Sequence, residues 1–416
     1  MVILQPKQSS TKMDNKLNAF ITIVDKVSPG IPIAIKDNIC TKGIKTTAGS
    51  NVLKDFIPPY NATLVEKLLD NGYSIIGKTN LDAFAHGSST ENSDFGVTHN
   101  PYDFDYLPGG SSGGSAAAVG AGLVDVAIGT ETAGSIRQPS AWCGVVGLKP
   151  TYGAVSRYGV IAMASSMDCP GVIANNVTNA AKVLEVISGN DLHDATSSDC
   201  PPYVFKKLNL SELKIGIPTS YLKVCTPEVL AKFEEVKKTF QKLGHQVVQI
   251  EMMDPSIAVA VYTILQRSEV SSNLARFDGI RYGATRDNFN LENQRRILLG
   301  THTLSAGFYD AYYTKAQKVR NLIALDFKKK FEEEKIDLII SPTTPTVAQK
   351  IGSSLNDPLF GELADQLVEP STLAGLPGMS IPCGFVGKLP VGFQIIGPRF
   401  SENLIINLAL QYEKFK

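Results

Sequence analysis

The sequence has no charge excess. Its 416 residues carry 40 Lys plus Arg against 40 Asp plus Glu. A surface that grips a nucleic acid by its phosphates needs a basic surplus. Any RNA substrate is therefore expected to be held by a partner chain. Long apolar runs are missing too. The longer ones, at residues 116–119 and 257–262, fall far short of the roughly 20 residues that span a bilayer. Six cysteines stand at 40, 143, 169, 200, 225 and 383 without a CxxC pair. That speaks against a zinc site and for buried free thiols in a reducing compartment. Histidine is scarce, with five in all. The first 20 residues lack an apolar signal core. Lys7, Ser9, Ser10, Thr11 and Lys12 hint at an organelle-import remnant, although Asp14 follows and arginine is absent.

What is present is a globular composition, with 43% hydrophobic and 19% charged residues. Glycines crowd the span from Gly109 to Gly171, whereas only Gly244 falls between Val229 and Asp278. The first half thus reads as strands and tight loops, the second as helices. Strands are expected at 31–35, 73–77, 124–128, 213–217, 245–250, 336–340, 378–382 and 391–396. Helices are expected at 62–69, 116–123, 177–187, 227–243, 258–281 and 293–330. This alternation predicts an α/β fold: one large mixed sheet covered by helices on both faces, with residues 1–416 forming a single domain.

Residues 108–115 read Pro-Gly-Gly-Ser-Ser-Gly-Gly-Ser, ahead of an Ala-rich helix. The glycines allow a backbone to approach a ligand closely. A Walker phosphate loop would need Gly-Lys-Ser/Thr after them, and Gly114 is followed by Ser115 and Ala116. Residues 109–113 also fit G-x-S-x-G around Ser111, but Tyr102–Pro108 makes a poor buried strand before such an elbow. A second serine lies 24 residues on, in Gly129-Thr-Glu-Thr-Ala-Gly-Ser135. Successive N–H groups in such a turn can converge on an oxyanion. By itself the turn also reads as an ordinary strand–turn–helix connection. Lys36, at a strand end, would by itself read as a surface lysine. Together the three sites say more. A serine needs a base, and the nearby histidines are only His86 and His99. A lysine kept neutral by burial can serve, with another serine as proton relay.

Five segments carry a family resemblance: residues 33–38 (Ile-Ala-Ile-Lys-Asp-Asn), 77–80 (Gly-Lys-Thr-Asn), 108–114, 134–139 (Gly-Ser-Ile-Arg-Gln-Pro) and 144–150. Together they span a core at 31–174 that resembles the amidase signature family. The resemblance implies that Lys36 is the base, Ser111 the relay and Ser135 the nucleophile. It further implies that the N–H groups of Thr132, Ala133, Gly134 and Ser135 form the oxyanion hole. Residues 149–159, 162–168, 271–283, 295–300, 306–313 and 373–378 narrow it to the A-type branch, the glutaminase subunits of glutamyl-tRNA(Gln) amidotransferases. On that likeness Arg296 holds the carboxylate of glutamine, Asp365 its amino group, and Tyr262 lies at the pocket. The half from 213 to 416 is expected to form this pocket and complete the sheet.

The same likeness implies no metal and no cofactor in this chain, with ATP and Mg2+ in a B-type kinase/transamidase subunit. The other expected partners are a small C-type subunit, glutamine and Glu-tRNA(Gln). The import hint at residues 7–12 and the shortened stretches before the lysine strand and after Gly283 point to a mitochondrial location, the alternative being a bacterial-type cytoplasm. A stand-alone amidase and a catalytically silent scaffold are the alternatives. Ala133 departs from the family's usual glycine, and a positive φ there would cost an alanine about 1 kcal/mol. The stretches before the lysine strand and between Gly283 and Asn293 are shorter than usual for the family.

Overall fold

The computed structural model describes residues 16–25, 28–280, 284–355 and 357–416. Residues 7–12, which carry the import hint, lie outside them, as does residue 281 of the expected 258–281 helix. No helix of the described residues is long and apolar enough to cross a membrane.

Among the described residues one mixed sheet of eleven strands is formed. In chain order these are β1 (Phe20–Ile23), β2 (Ile31–Lys36), β3 (Tyr73–Thr79), β4 (Val126–Glu131), β5 (Val146–Lys149) and β6 (Cys169–Ala174). Then come β7 (Lys214–Pro218), β8 (Gln246–Ile250), β9 (Leu338–Pro342), β10 (Gly378–Val386) and β11 (Leu389–Ile396). The spatial order is β1-β3-β2-β4-β6-β5-β10-β11-β9-β7-β8. The two halves of the chain join where β5 pairs antiparallel with β10. β2 pairs parallel with both β3 and β4, so Lys36 and Glu131 end neighbouring strands at the same edge.

Side chains alternate across the sheet, as the two-residue period requires. Ile33 and Ile35 face one apolar layer, and Ala34 faces the other. The first layer holds α1 (Thr63–Asp70), α4 (Val177–Ile187), α5 (Pro227–Lys242) and α11 (Glu402–Phe415). The opposite face holds α2 (Gly113–Gly120), α6 (Pro255–Asn273) and α8 (Lys315–Glu332). Four more helices border the site: α3 (Arg137–Trp142), α7 (Leu291–Leu304), α9 (Phe360–Asp365) and α10 (Glu369–Leu373).

The Ala-rich helix begins at Gly113, three residues before the expected 116–123 span, and Gly114 within it sits directly against the backbone of Asn80. The expected 258–281 helix ends at Asn273, followed by a 3-10 turn at Leu274–Arg276. The expected 293–330 helix is broken. α7 stops at Leu304, Gly307 takes φ +87°, and a π-helical turn at Tyr309–Thr314 leads into α8. Strand β9 runs on through Ser341 and Pro342.

Candidate active site

Lys36 ends β2 fully buried. Its Nζ lies 2.7 Å from Ser111 Oγ, 2.9 Å from Ser112 Oγ and 3.2 Å from the carbonyl oxygen of Thr130. Burial pulls the ammonium down to about 7, although Asp82, Asp168 and Glu131 all act to keep the proton on. Asp82 and Asp168 are themselves buried. Burial pushes both up to about 6, against the hydrogen bonds their carboxylates accept. The site is thus a buried one that favours the neutral amine far more than water does.

Ser111 follows a cis peptide bond at Gly110. Sequence reasoning misses Ser112, for which the Ser-Ser pair is the only signal. Its Oγ donates to Thr130 O (3.1 Å) and accepts from Thr130 N (3.3 Å). Its N–H donates to Ser135 O at 3.2 Å. Ser112 therefore ties together the lysine, the end of β4 and the second serine.

The turn from β4 to α3 is closed by Glu131. Its Oε2 accepts from the N–H groups of Ile136 and Arg137, and its Oε1 pairs with the Arg137 guanidinium at 2.6 Å. Arg137 also donates to Ser371, Thr372, Gln394 and the carbonyl of Val368. This buried network fixes the turn from both ends. The N–H groups of Thr132, Ala133, Gly134 and Ser135 then have no hydrogen-bond partner among the described residues. Four adjacent free donors in a buried turn can offer hydrogen bonds to an anion. Ala133 does not adopt positive φ, so the strain expected from its departure is absent. Gly134 is required for a different reason: a Cβ there would collide with Asp365 and Val368. Thr132 Oγ1 donates to Asp168 at 2.7 Å.

The three residues expected to hold substrate come from the second half. Asp365, at the end of α9, presses on Gly134; its Oδ2 accepts from Ser88 Oγ at 2.7 Å, and its Oδ1 is buried without a partner among the described residues. Burial drives this carboxyl well above its ordinary range. Arg296, on α7, is 5% exposed and gives its Nε to Glu292 at 2.6 Å. Burial works against its charge, but Glu292 and Glu362 more than offset that. Its two terminal nitrogens have no hydrogen-bond partner among the described residues. Tyr262 is buried on α6, where its phenol feels the charges of Arg296, Glu369, Glu362 and Asp365. The side chains of α6, α7, α9 and α10 thus surround one buried polar region beside the turn at residues 132–135.

Neither histidine alternative reaches the serines. His86 is fully buried with Nδ1 2.7 Å from Asn293 Nδ2, and His99 Nδ1 lies 2.7 Å from the carbonyl of Phe104. Among the described residues no strand leads into Ser111, so the nucleophile-elbow reading falls away. A cleft of about 880 Å³ lined by Cys40, Tyr60, Tyr158 and Phe277 lies elsewhere and touches none of these site residues.

The family model described as Amidase matches residues 11–406. Two bacterial relatives, both named as the A subunit of glutamyl-tRNA(Gln) amidotransferase, align along most of their length. The one from Persephonella marina is 49% identical over 99% of this chain and 88% of its own. The one from Thermoanaerobacter pseudethanolicus is 51% identical over 94% and 83%. A crystal structure of the A subunit from Thermotoga maritima superimposes with a TM-score of 0.87 at 42% identity, covering 98% of this chain and 90% of that one. None of these relatives speaks for a mitochondrial location. With its buried lysine, paired serines and free-amide turn, the chain belongs to the amidase family, in the branch of the glutamyl-tRNA(Gln) amidotransferase A subunits.

Proposed function

We propose that this chain is the glutaminase subunit of a glutamyl-tRNA(Gln) amidotransferase. The observation that carries the chemistry is the buried Lys36 amine set between two serine hydroxyls. A neutral amine has two N–H groups and one lone pair. Ser112 Oγ and Thr130 O take the two hydrogens, because the Ser112 hydroxyl is itself spent on Thr130 O. The lone pair is left for the Ser111 hydroxyl. Ser111 can then give its proton to Lys36 while receiving one from Ser135.

Ser135 Oγ attacks the side-chain amide carbon of glutamine. The oxyanion that forms is held by the N–H groups of Thr132, Ala133, Gly134 and Ser135. Lys36, now an ammonium, returns a proton through Ser111 to the departing nitrogen, which leaves as ammonia. Water hydrolyses the γ-glutamyl ester on Ser135 by the same route reversed. Arg296 meets the substrate carboxylate with its free terminal N–H groups, and Asp365 meets the ammonium with its unpartnered oxygen. A zwitterionic amino acid head needs both signs of charge, and a simple amide needs neither. That contrast favours this reading over a stand-alone amidase.

Ammonia passes to a B-type subunit that activates Glu-tRNA(Gln) with ATP and Mg2+, with a small C-type subunit completing the complex. The balanced charge of this chain agrees with tRNA being held elsewhere. The test is Ser135→Ala in the assembled complex. Glutamine-dependent formation of Gln-tRNA(Gln) should vanish, and added ammonium chloride should restore it. Failure of ammonia to rescue would overturn the division of labour.

A further inference from the structure

Asp365 is not the only buried acid beside the oxyanion turn. Glu369 opens α10 and is 0% exposed, and neither of its carboxyl oxygens has a hydrogen-bond partner among the described residues. A buried polar group normally finds a partner, because leaving one unmade is costly. Its position is well defined by its neighbours in sequence. Asp365 and Val368 press on Gly134. Thr372, one helical turn after Glu369, donates to the carbonyl of Ala133 at 2.7 Å. Glu369 therefore sits on a segment held against the oxyanion turn at both ends. Across from it, α10 packs on α6. On α6 the Gln266 side chain is also fully buried, with neither end of its amide hydrogen-bonded among the described residues. It stands one turn after Tyr262, whose phenol feels Arg296, Glu369 and Asp365 together.

The neighbouring carboxylates Glu362 and Glu292 have cationic partners, although Arg267 Nε and the terminal nitrogens of Arg296 have no hydrogen-bond partner among the described residues. Glu362 pairs with Arg267 at 2.8 Å, and Glu292 pairs with Arg296. Glu369 and Asp365 remain, each with oxygen lone pairs that meet no donor among the described residues. Burial raises the proton affinity of Glu369, the nearby charges of Asp365 and Glu362 raise it further, and Arg267 opposes them without reversing the shift. A cation between Glu369 and Asp365 removes that conflict.

We propose that Glu369 lines the substrate pocket beside Asp365 and shares with it the ammonium group of the bound amino acid. The ammonium offers three N–H donors. Asp365 Oδ1 takes one as the charged partner, braced by Ser88, and Glu369 takes another through a carboxyl oxygen. The neutral acid serves here, so its amide analogue should serve nearly as well. This inference rests on the reading of the pocket as one for glutamine, and it adds to that reading a second residue that distinguishes an α-amino acid from its desamino analogue.

The test uses equilibrium binding to the assembled complex carrying Ser135→Ala, so that turnover does not intervene. The two ligands are glutamine and glutaramate, which is glutamine without its α-amino group. Adding Glu369→Leu should weaken glutamine at least tenfold and glutaramate less than about twofold. Adding Glu369→Gln, which keeps an acceptor oxygen, should leave glutamine within about threefold of the parent and guards against a folding defect in the leucine variant. Undiminished glutamine binding by Glu369→Leu would overturn the proposal. So would equal weakening of both ligands, which would make Glu369 a structural residue, or a Glu369→Gln variant as weak as the leucine one. Absence of glutamine binding with Glu369 intact would instead overturn the glutamine reading, and this inference with it.

Discussion

Around Lys36 most side-chain polar groups are spent on one another, while the N–H groups of residues 132–135 and Asn38 Oδ1 have no partner among the described residues. The amine meets Ser111, Ser112 and Thr130, and Glu131 is matched to Arg137 and two backbone amides. In the helical region supplied by α6, α9 and α10 the pattern is reversed. Oxygens and nitrogens of Asp365, Glu369 and Gln266 are buried with no partner among the described residues. On the proposed reading the first region is partly preorganised: Lys36 already meets Ser111 and Ser112, while the Ser135 hydroxyl has no hydrogen bond to either among the described residues. The second is an incomplete set of contacts that a ligand would finish. An enzyme has reason to differ in this way. Catalytic groups gain from fixed positions, whereas recognition gains from groups that only the right substrate can satisfy.

The largest effects should come from breaking the assembled region. Lys36→Arg keeps a positive charge but cannot give up its proton. It should lower glutaminase kcat by at least about a thousandfold, as should Ser135→Ala. Ser111→Ala should fall in the same range, since it removes the relay without touching the nucleophile. Single-turnover release of ammonia measures all three. A Lys36→Arg enzyme with near-normal turnover would reduce the lysine to an anchor.

Breaking the incomplete region should act on KM instead. Removing one partner of a desolvated charged contact typically costs about 2–5 kcal/mol. Arg296→Ala should therefore raise the KM for glutamine at least about tenfold, and Asp365→Asn should do likewise. Butyramide carries the same reacting amide without the amino acid head, and its kcat/KM should be nearly unchanged in both variants. Equal losses on the two substrates would show that Arg296 and Asp365 hold the fold rather than the substrate.

These two regions are not equally legible in the sequence. The assembled one is, because its residues stand in dense local motifs whose spacing is itself a signal: Lys36 ends a strand, and Ser111 and Ser135 lie in Gly-rich turns. Ser112 escapes notice because a serine beside a serine looks redundant until the geometry shows which hydroxyl is spent. Glu131 and Arg137 are hidden for a similar reason, since the partners Ser371, Thr372 and Gln394 are remote in sequence. Arg296 and Asp365 come from family likeness alone; on an isolated helix each would read as an exposed charge. Glu369 carries no signal, since burial is a tertiary property.

The fold divides in the same way. α4 is legible at both ends, because apolar residues recur at helical spacing and Asn176 caps the start by accepting from Asn179 N. Strand β6 is not, because Pro170 and Gly171 read as breakers. It is nonetheless a fully buried strand paired along its length with β4, so tertiary pairing overrides local propensity.

A smaller effect should come from pH. On the proposed mechanism Lys36 acts as a base only when neutral, and burial brings its pKa down to about 7. Raising pH through that value should raise kcat/KM to a plateau. Lowering it to 6 should cost about tenfold from that plateau, since about a tenth of the amine is unprotonated one unit below its pKa. The direction is the reverse of that for a catalytic group that must carry its proton. A profile flat from about pH 6 to 8.5 would mean that Lys36 is not the titrating base.

The smallest effect separates a sequence departure from a structural one. Ala133 stands where the family usually has glycine, yet its backbone avoids the left-handed region and its N–H has no partner among the described residues. Restoring glycine should therefore gain nothing in catalysis. Ala133→Gly should keep kcat within about twofold and lose about 0.5–1 kcal/mol of stability, because glycine gives up more backbone freedom on folding than alanine does. In a chain of this length that is a fall in Tm of no more than about 2 °C. Gly134 next to it gives the contrast. Gly134→Ala would drive a methyl group into Asp365 and Val368, displacing a residue that packs on the turn and that the proposed function places against the substrate. It should raise the KM for glutamine as well as lower kcat. If Ala133→Gly raised kcat severalfold, the turn would be under a strain that its φ does not register.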